Sequence, residues 1–218
     1  MCIQNLPVTL IFDRAGLVGK DGETHQGIFD MSFLSAMPNM TVIAPKSIKE
    51  LVEAMKFAEQ YNGPVAIRFA RGTAYAANDE KNSNFEYGKS EIIKEGSDIA
   101  LIAVGNMVEE TEKAINKLAE ENIFPTFVNA RFVKPIDFDT IISLAKSHKS
   151  IIIVEEGIKR GGYGEGIEAF IAEQCLDTGV SVMAIEDTFV EQGSVDDLRK
   201  RIGISYENIY EKVIELVK

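Results

Sequence analysis

Short apolar runs alternate with amphipathic stretches along the whole chain. The runs lie at 7–12 (PVTLIF), 41–44 (TVIA), 65–69 (VAIRF), 99–104 (IALIAV), 124–128 (FPTFV), 150–154 (SIIIV) and 180–185 (VSVMAI). They are brief and rich in β-branched side chains, which pack well on a pleated surface. A run without polar alternation is covered on both faces, as in a parallel sheet. The stretches at 47–61, 107–121, 137–147, 164–176 and 205–217 repeat their apolar positions at the helical period instead. Ser47, with Glu50 three residues on, predicts a capping box at the start of the first stretch. Pro135 and Asp137 predict a rigid loop and a helix cap before the third. Alternation of strand and helix predicts an α/β fold on mainly parallel sheets flanked by helices.

The periodicity lapses at 76–90, AANDEKNSNFEYGKS, a polar segment rich in Asn and Ser. The expected organisation is a unit over 1–80, a linker over 81–90 and a second unit over 91–218. The first unit has three strand runs and one long helix, and its first strand starts within a few residues of Met1. That is thin for an independent doubly wound domain. It is expected to be the later part of a larger domain, with exposed sheet edges and a rearranged chain. The second unit has four strand runs and is expected to fold alone.

Composition narrows the function. Of 218 residues, 45% are hydrophobic, enough for a sizeable core. Acidic residues number 34 against 23 basic, for a formal net charge of -11. Such a surface repels phosphate backbones and argues against nucleic-acid binding without a concentrated basic patch. The densest basic cluster, Arg199, Lys200 and Arg201, is expected on the solvated face of a helix. Cys2 and Cys175 form no C-x-x-C pair, which argues against a disulfide framework or a zinc site and fits a cytoplasmic protein. No apolar run reaches the roughly 18 residues of a membrane span. The first residues carry neither the basic nor the apolar segment of a signal peptide.

Candidate chemistry gathers directly after the first strand. Residues 13–27, DRAGLVGKDGETHQG, hold four glycines, one arginine, two aspartates and one histidine. In open α/β sheets, ligands collect beyond the carboxyl ends of strands. Glycines allow tight turns and close approach of backbone to a ligand. Arg14 offers a planar fork that grips a carboxylate or phosphate with two parallel hydrogen bonds. Asp21 and His25 are four apart, so one helical turn would set them side by side, an arrangement suited to proton transfer. The bland alternative is a solvated polar loop. A second cluster at 66–73, AIRFARGT, places Arg68 and Arg71 after the third strand, either as a phosphate site or as surface arginines. GGYGEG at 161–166 lacks the dinucleotide and P-loop spacings, and its acidic neighbours repel phosphate. It is expected to be a turn into a helix. His148 is expected to close a helix and complement its dipole.

Taken in order, these segments resemble one family. DRAGLVGKDGETHQGIFD at 13–30, PNM at 38–40, NGPVAIRFARG at 62–72, NARFVKPID at 129–137, IIIVEEG at 151–157, GGYGEG at 161–166 and FVEQG at 189–193 carry the resemblance. They follow the order and spacing of the 1-deoxy-D-xylulose-5-phosphate synthases, transketolase-like thiamine-diphosphate enzymes, over essentially the whole chain. The resemblance implies the C-terminal part of a transketolase-like pyrimidine-binding domain, followed by a transketolase C-terminal domain. It implies a cytoplasmic, homodimeric transferase that uses thiamine diphosphate and Mg²⁺. The family reaction joins pyruvate to D-glyceraldehyde 3-phosphate with loss of CO₂, on the way to isoprenoids, thiamine and pyridoxal.

Residue by residue, the resemblance implies that Arg14 and Arg71 bind the phosphate of the aldehyde substrate. It implies catalytic roles for Asp21 and His25, which hold the pyruvate-derived carboxylate, with a proton transfer at His25. The family's activating glutamate, diphosphate-binding glycines and Mg²⁺ ligands lie upstream of the matching segment. This chain is therefore expected to bind neither cofactor nor metal and to be inactive alone. The alternatives are a split transketolase-like or 2-oxoacid dehydrogenase β-type subunit, or a non-catalytic dimerisation module.

Overall fold

The computed structural model describes residues 1–72, 75 and 84–218. Its first half contains β1 (Thr9–Phe12), α1 (Asp30–Ser35), β2 (Thr41–Ile43), α2 (Ile48–Gln60) and β3 (Val65–Arg68). There follow β4 (Glu91–Lys94), β5 (Ile99–Ala103), α3 (Met107–Glu120), β6 (Thr126–Asn129), β7 (Phe132–Lys134) and α4 (Phe138–Ser147). The last elements are β8 (Ser150–Ile158), α5 (Tyr163–Glu173), β9 (Gly179–Ile185), α6 (Val195–Ile202) and α7 (Tyr206–Val217). Most of the polar break expected at 76–90, residues 76–83, lies outside the described residues.

Each apolar run is a strand, and each of the five amphipathic stretches is a helix. The strands form two sheets, in the orders β1-β3-β2-β7 and β4-β6-β5-β8-β9. The inner pairings are parallel, and β4 and β7 run antiparallel at the edges. The region expected to be rearranged pairs in register, with Thr9 opposite Val65 and Thr41 opposite the same residue on its other side. β3, β5 and β6 are buried along their whole length, as their unbroken apolar runs require. β1 differs. It alternates exposed and half-buried residues because it has a strand on one side only, and Ile11 is 51% exposed.

Two strands were not legible as strands. β4 has two isoleucines between charged residues, and β7 is three residues long and lies inside the proline loop. β7 joins the first sheet although it follows β6 of the second by only a short bend. One apolar cluster accordingly draws on both halves. It packs Met31, Val42 and Ala66 with Ile102, Val128 and Ile153, all of them buried.

Caps set the helix starts. Ser47 Oγ accepts from Glu50 N–H at 3.2 Å, one half of the expected capping box. The Glu50 carboxylate instead accepts from Lys46 N–H at 2.7 Å and from Arg131 Nε at 2.7 Å, and so joins α2 to the bend before β7. Asp137 caps α4, accepting from Thr140 N–H, and His148 closes the same helix through its N–H to Leu144 O at 2.9 Å.

Candidate active site

The glycine-rich loop leaves β1 at Phe12 and is stitched down at once. Ala15 N–H donates to Phe69 O at 3.0 Å, just past the end of β3. Gly16 and Gly27 exchange two backbone hydrogen bonds of 2.7 Å, which close residues 16–27 into a compact lobe. Arg14 sits before this closure at φ 59, a left-handed conformation that costs a non-glycine residue about 1–3 kcal/mol and survives where its surroundings hold it.

Arg14 and Arg71 thus stand beyond the carboxyl ends of two adjacent parallel strands. Both guanidinium groups turn to one carboxylate. Arg71 Nη1 donates to Asp21 Oδ2 at 2.5 Å, and Arg14 Nη1 lies 3.5 Å from the same oxygen. The side chains of Arg14 and Arg71 remain 49% and 52% exposed, so both cations face solvent as well as Asp21. Arg71 also lines a cavity of about 300 Å³ with Lys46, Ser47, Phe69, Asn106 and Glu109.

His25 does not join this trio by the expected route. Asp21 ends one short 3-10 turn, Gly19–Asp21, and His25 ends another, Glu23–His25. Gly22, at φ 80, breaks the chain between them, so no single helical turn aligns the two residues. The His25 ring pairs with its neighbour, Nδ1 lying 3.0 Å from Thr24 Oγ1, and His25 is exposed. Arg68 is also set apart from Arg71. It is buried, donates from Nε to Asp30 Oδ2 at 2.7 Å, and is committed to the interior.

The lobe is held from the second sheet. Glu156, on β8 and wholly buried, accepts from Leu17 N–H at 3.0 Å and from Asn106 Nδ2 at 2.7 Å on one oxygen. Its other oxygen accepts from Arg199 Nε at 2.7 Å. Arg199 is therefore no solvated helix residue: only Lys200 and Arg201 of that cluster face water. Gln26 Oε1 accepts from Val18 N–H at 2.8 Å, while its amide donates to Glu191 O at 3.2 Å. The FVEQG segment is thereby brought against the lobe. Two of these contacts, Glu156 to Leu17 and Gln26 to Glu191, join positions more than a hundred residues apart and left no local signal except the paired glutamates at 155–156.

GGYGEG does form a turn into a helix. The N–H groups of Tyr163 and Gly164, which open α5, donate to Glu155 at 2.9 and 3.0 Å. A protein carboxylate thus fills the position where a helix N-terminus would take an anion. Burial pushes the pKa of Glu155 up to about 7, against the pull of those two donors.

Among the described residues, no group of three or more His, Cys, Asp or Glu side chains is placed to hold a metal ion. Two guanidinium groups meeting at one point, as Arg14 and Arg71 do at Asp21, suit an anion.

Residues 88–209 match the transketolase C-terminal domain, and residues 1–75 match the transketolase pyrimidine binding domain. The chain belongs to the transketolase family. Within that family it is 47% identical, over all 218 residues, to the 1-deoxy-D-xylulose-5-phosphate synthase of Clostridium perfringens (strain SM101 / Type A), of which it covers 35%. It is 41% identical over 213 residues to the synthase of Alkaliphilus oremlandii, covering 97% of this chain and 34% of that relative. The chain thus spans about a third of the length of the curated relatives it matches. Among solved transketolases, a split-gene transketolase described as an inactive beta4 tetramer superposes with a TM-score of 0.84 and 26% identity, over 99% of this chain and 68% of that one. The transketolase of Campylobacter jejuni, at 23% identity over 95% of this chain and 31% of that one, shares the fold with a TM-score of 0.77.

Proposed function

We propose that this chain supplies the C-terminal third of a 1-deoxy-D-xylulose-5-phosphate synthase and, within it, the site for the phosphate of the aldehyde substrate. The observation that carries this reading is the convergence of Arg14 and Arg71 on one oxygen of Asp21. Two guanidinium groups at adjacent strand ends can grip the three oxygens of a phosphate from two sides. Asp21 occupies their meeting point, and a phosphate dianion outcompetes a single carboxylate for two cations. The adjoining cavity of about 300 Å³ is of a size for a three-carbon sugar phosphate.

In the full enzyme, thiamine diphosphate with Mg²⁺ supplies the carbon nucleophile. This chain's residues bind and orient. Arg14 and Arg71 hold D-glyceraldehyde 3-phosphate. Asp21 and His25 would hold the carboxylate that pyruvate brings, and His25 would move a proton at a substrate oxygen. The proposed organisation is a pyrimidine-domain part over 1–80, a linker over 81–90 and a C-terminal domain over 91–218, in a cytoplasmic homodimer. The isolated chain is expected to turn over no pyruvate.

The test is a binding titration of this chain with D-glyceraldehyde 3-phosphate and with D-glyceraldehyde. Binding of the phosphorylated sugar alone supports the reading, and equal binding of the two overturns it. A second reading, a naturally separate subunit, is favoured by the superposition of 99% of this chain on a split-gene transketolase. The intact mass of the natural protein decides between them: 24.1 kDa means a separate subunit, and a several-fold larger mass means a longer enzyme.

A further inference from the structure

We propose that Glu156 is the positioning residue of the anion site, fixing Arg14 against Arg71 from the second sheet. The inference rests on the reading of the two arginines as an anion site.

Glu156 touches both limbs of that site. Its side chain accepts from Leu17 N–H at 3.0 Å, three residues past Arg14. Its backbone carbonyl accepts from Arg68 Nη2 at 3.4 Å, three residues before Arg71. One residue of β8 thus contacts the loop after β1 and the end of β3 together. It adds a hold from the second sheet to the direct bond between the two limbs, Ala15 N–H to Phe69 O at 3.0 Å.

The loop is shaped around this carboxylate. Gly16 has φ +78, and a Cβ at that position would lie 2.1 Å from Glu156 Oε2. A side chain at 16 would push the lobe off the glutamate, so the close approach needs glycine. The carboxylate has no exposed surface, and a buried charge is tolerated only with a full set of partners. Arg199 supplies the opposite charge at 2.7 Å, and Asn106 adds a donor at 2.7 Å. Arg199 satisfies only one of the two oxygens. The second oxygen is instead spent on the lobe's backbone and on Asn106, which lines the cavity beside Arg71.

The test uses this chain and inorganic phosphate. Glu156→Gln keeps the shape but turns an N–H₂ toward Arg199 or toward Leu17 and Asn106 together. The expected result is a loss of about tenfold in phosphate affinity, as for a hydrogen bond to a charged group, measured well below the melting temperature. A role confined to stability would lower the melting temperature and leave the affinity of the folded chain unchanged, and that outcome overturns the proposal. Arg199→Lys, which keeps the cation on Glu156, should retain most of the affinity that Arg199→Ala loses. If the unaltered chain binds no phosphate, the anion-site reading fails by itself. The clamp is then judged by amide exchange at Leu17, expected to quicken about tenfold in Glu156→Gln, and unchanged exchange overturns it. Should Glu156→Gln fail to fold, Asn106→Ala removes a donor from the same oxygen without stranding the carboxylate. Unaltered phosphate affinity in that variant also overturns the proposal.

Discussion

Arg71 donates to Asp21 at 2.5 Å across fifty positions of sequence, and Arg14 approaches the same oxygen at 3.5 Å. All three side chains are a quarter to a half exposed. Ion pairs this open contribute about 0–1 kcal/mol, so exchange of Asp21 for an incoming phosphate is easy. Asp21→Asn should therefore raise affinity for inorganic phosphate by up to about fivefold, because it removes a competing negative charge. Arg71→Ala should lower it by at least about tenfold. Isothermal titration of the three proteins reads both effects, and equal affinity in Asp21→Asn would show that Asp21 does not compete.

Gly16→Ala tests the contact between the lobe and β8. The added methyl group meets Glu156 Oε2, and alanine is strained at φ +78. The two effects together should cost about 1–3 kcal/mol in a urea titration. A loss below about 0.5 kcal/mol would mean that the lobe moves freely away from Glu156.

Glu155 should give stability a dependence on pH. Its folded value, about 7, lies above its ordinary value of 4.5, so between these the folded chain keeps a proton that the unfolded chain releases. The stabilisation is full below pH 4.5 and is lost as pH rises through about 7. The loss is on the order of 3 kcal/mol at most. Denaturant midpoints from pH 5 to pH 8 should fall for the natural chain, and Glu155→Gln should flatten that slope.

Asp137 should act with the opposite sign. Burial alone raises its carboxyl, but the donors Ser90 and Thr140, with Lys89 nearby, outweigh burial and hold it below the usual range. Its stabilisation is present above the ordinary carboxylate value and is lost as pH falls through the lower folded one. Asp137→Ala should cost about 1–2 kcal/mol at neutral pH as a lost helix cap. The gap between variant and natural chain should narrow in acid, and a constant gap down to about pH 2 would contradict the assignment.

Much of this protein was readable in one dimension. Buried parallel strands must be short, apolar and β-branched, so 65–69 and 99–104 announce themselves. Helix caps are local, so Ser47, Asp137 and His148 could be placed from their neighbours. The loop after β1 stood out as a candidate site because glycine, arginine and carboxylates crowd it at a strand end. The partners of buried charges are another matter. Arg199 read as a solvated charge, Arg68 could not be told from Arg71, and Glu156 carried no role of its own, because periodicity records which face of an element is apolar and not what lies opposite. Arg68 turned inward to Asp30 while Arg71, three residues on, reached the exposed Asp21. Gly22 divided Asp21 from His25 because a positive φ ends a helical turn whatever the spacing suggests. Above all, the hold of Glu156 on Leu17 spans 139 positions and exists only once two sheets have packed against each other. Local steric and hydrophobic preferences set the elements. The pairing of buried charges across the chain waits for the fold that removes them from water.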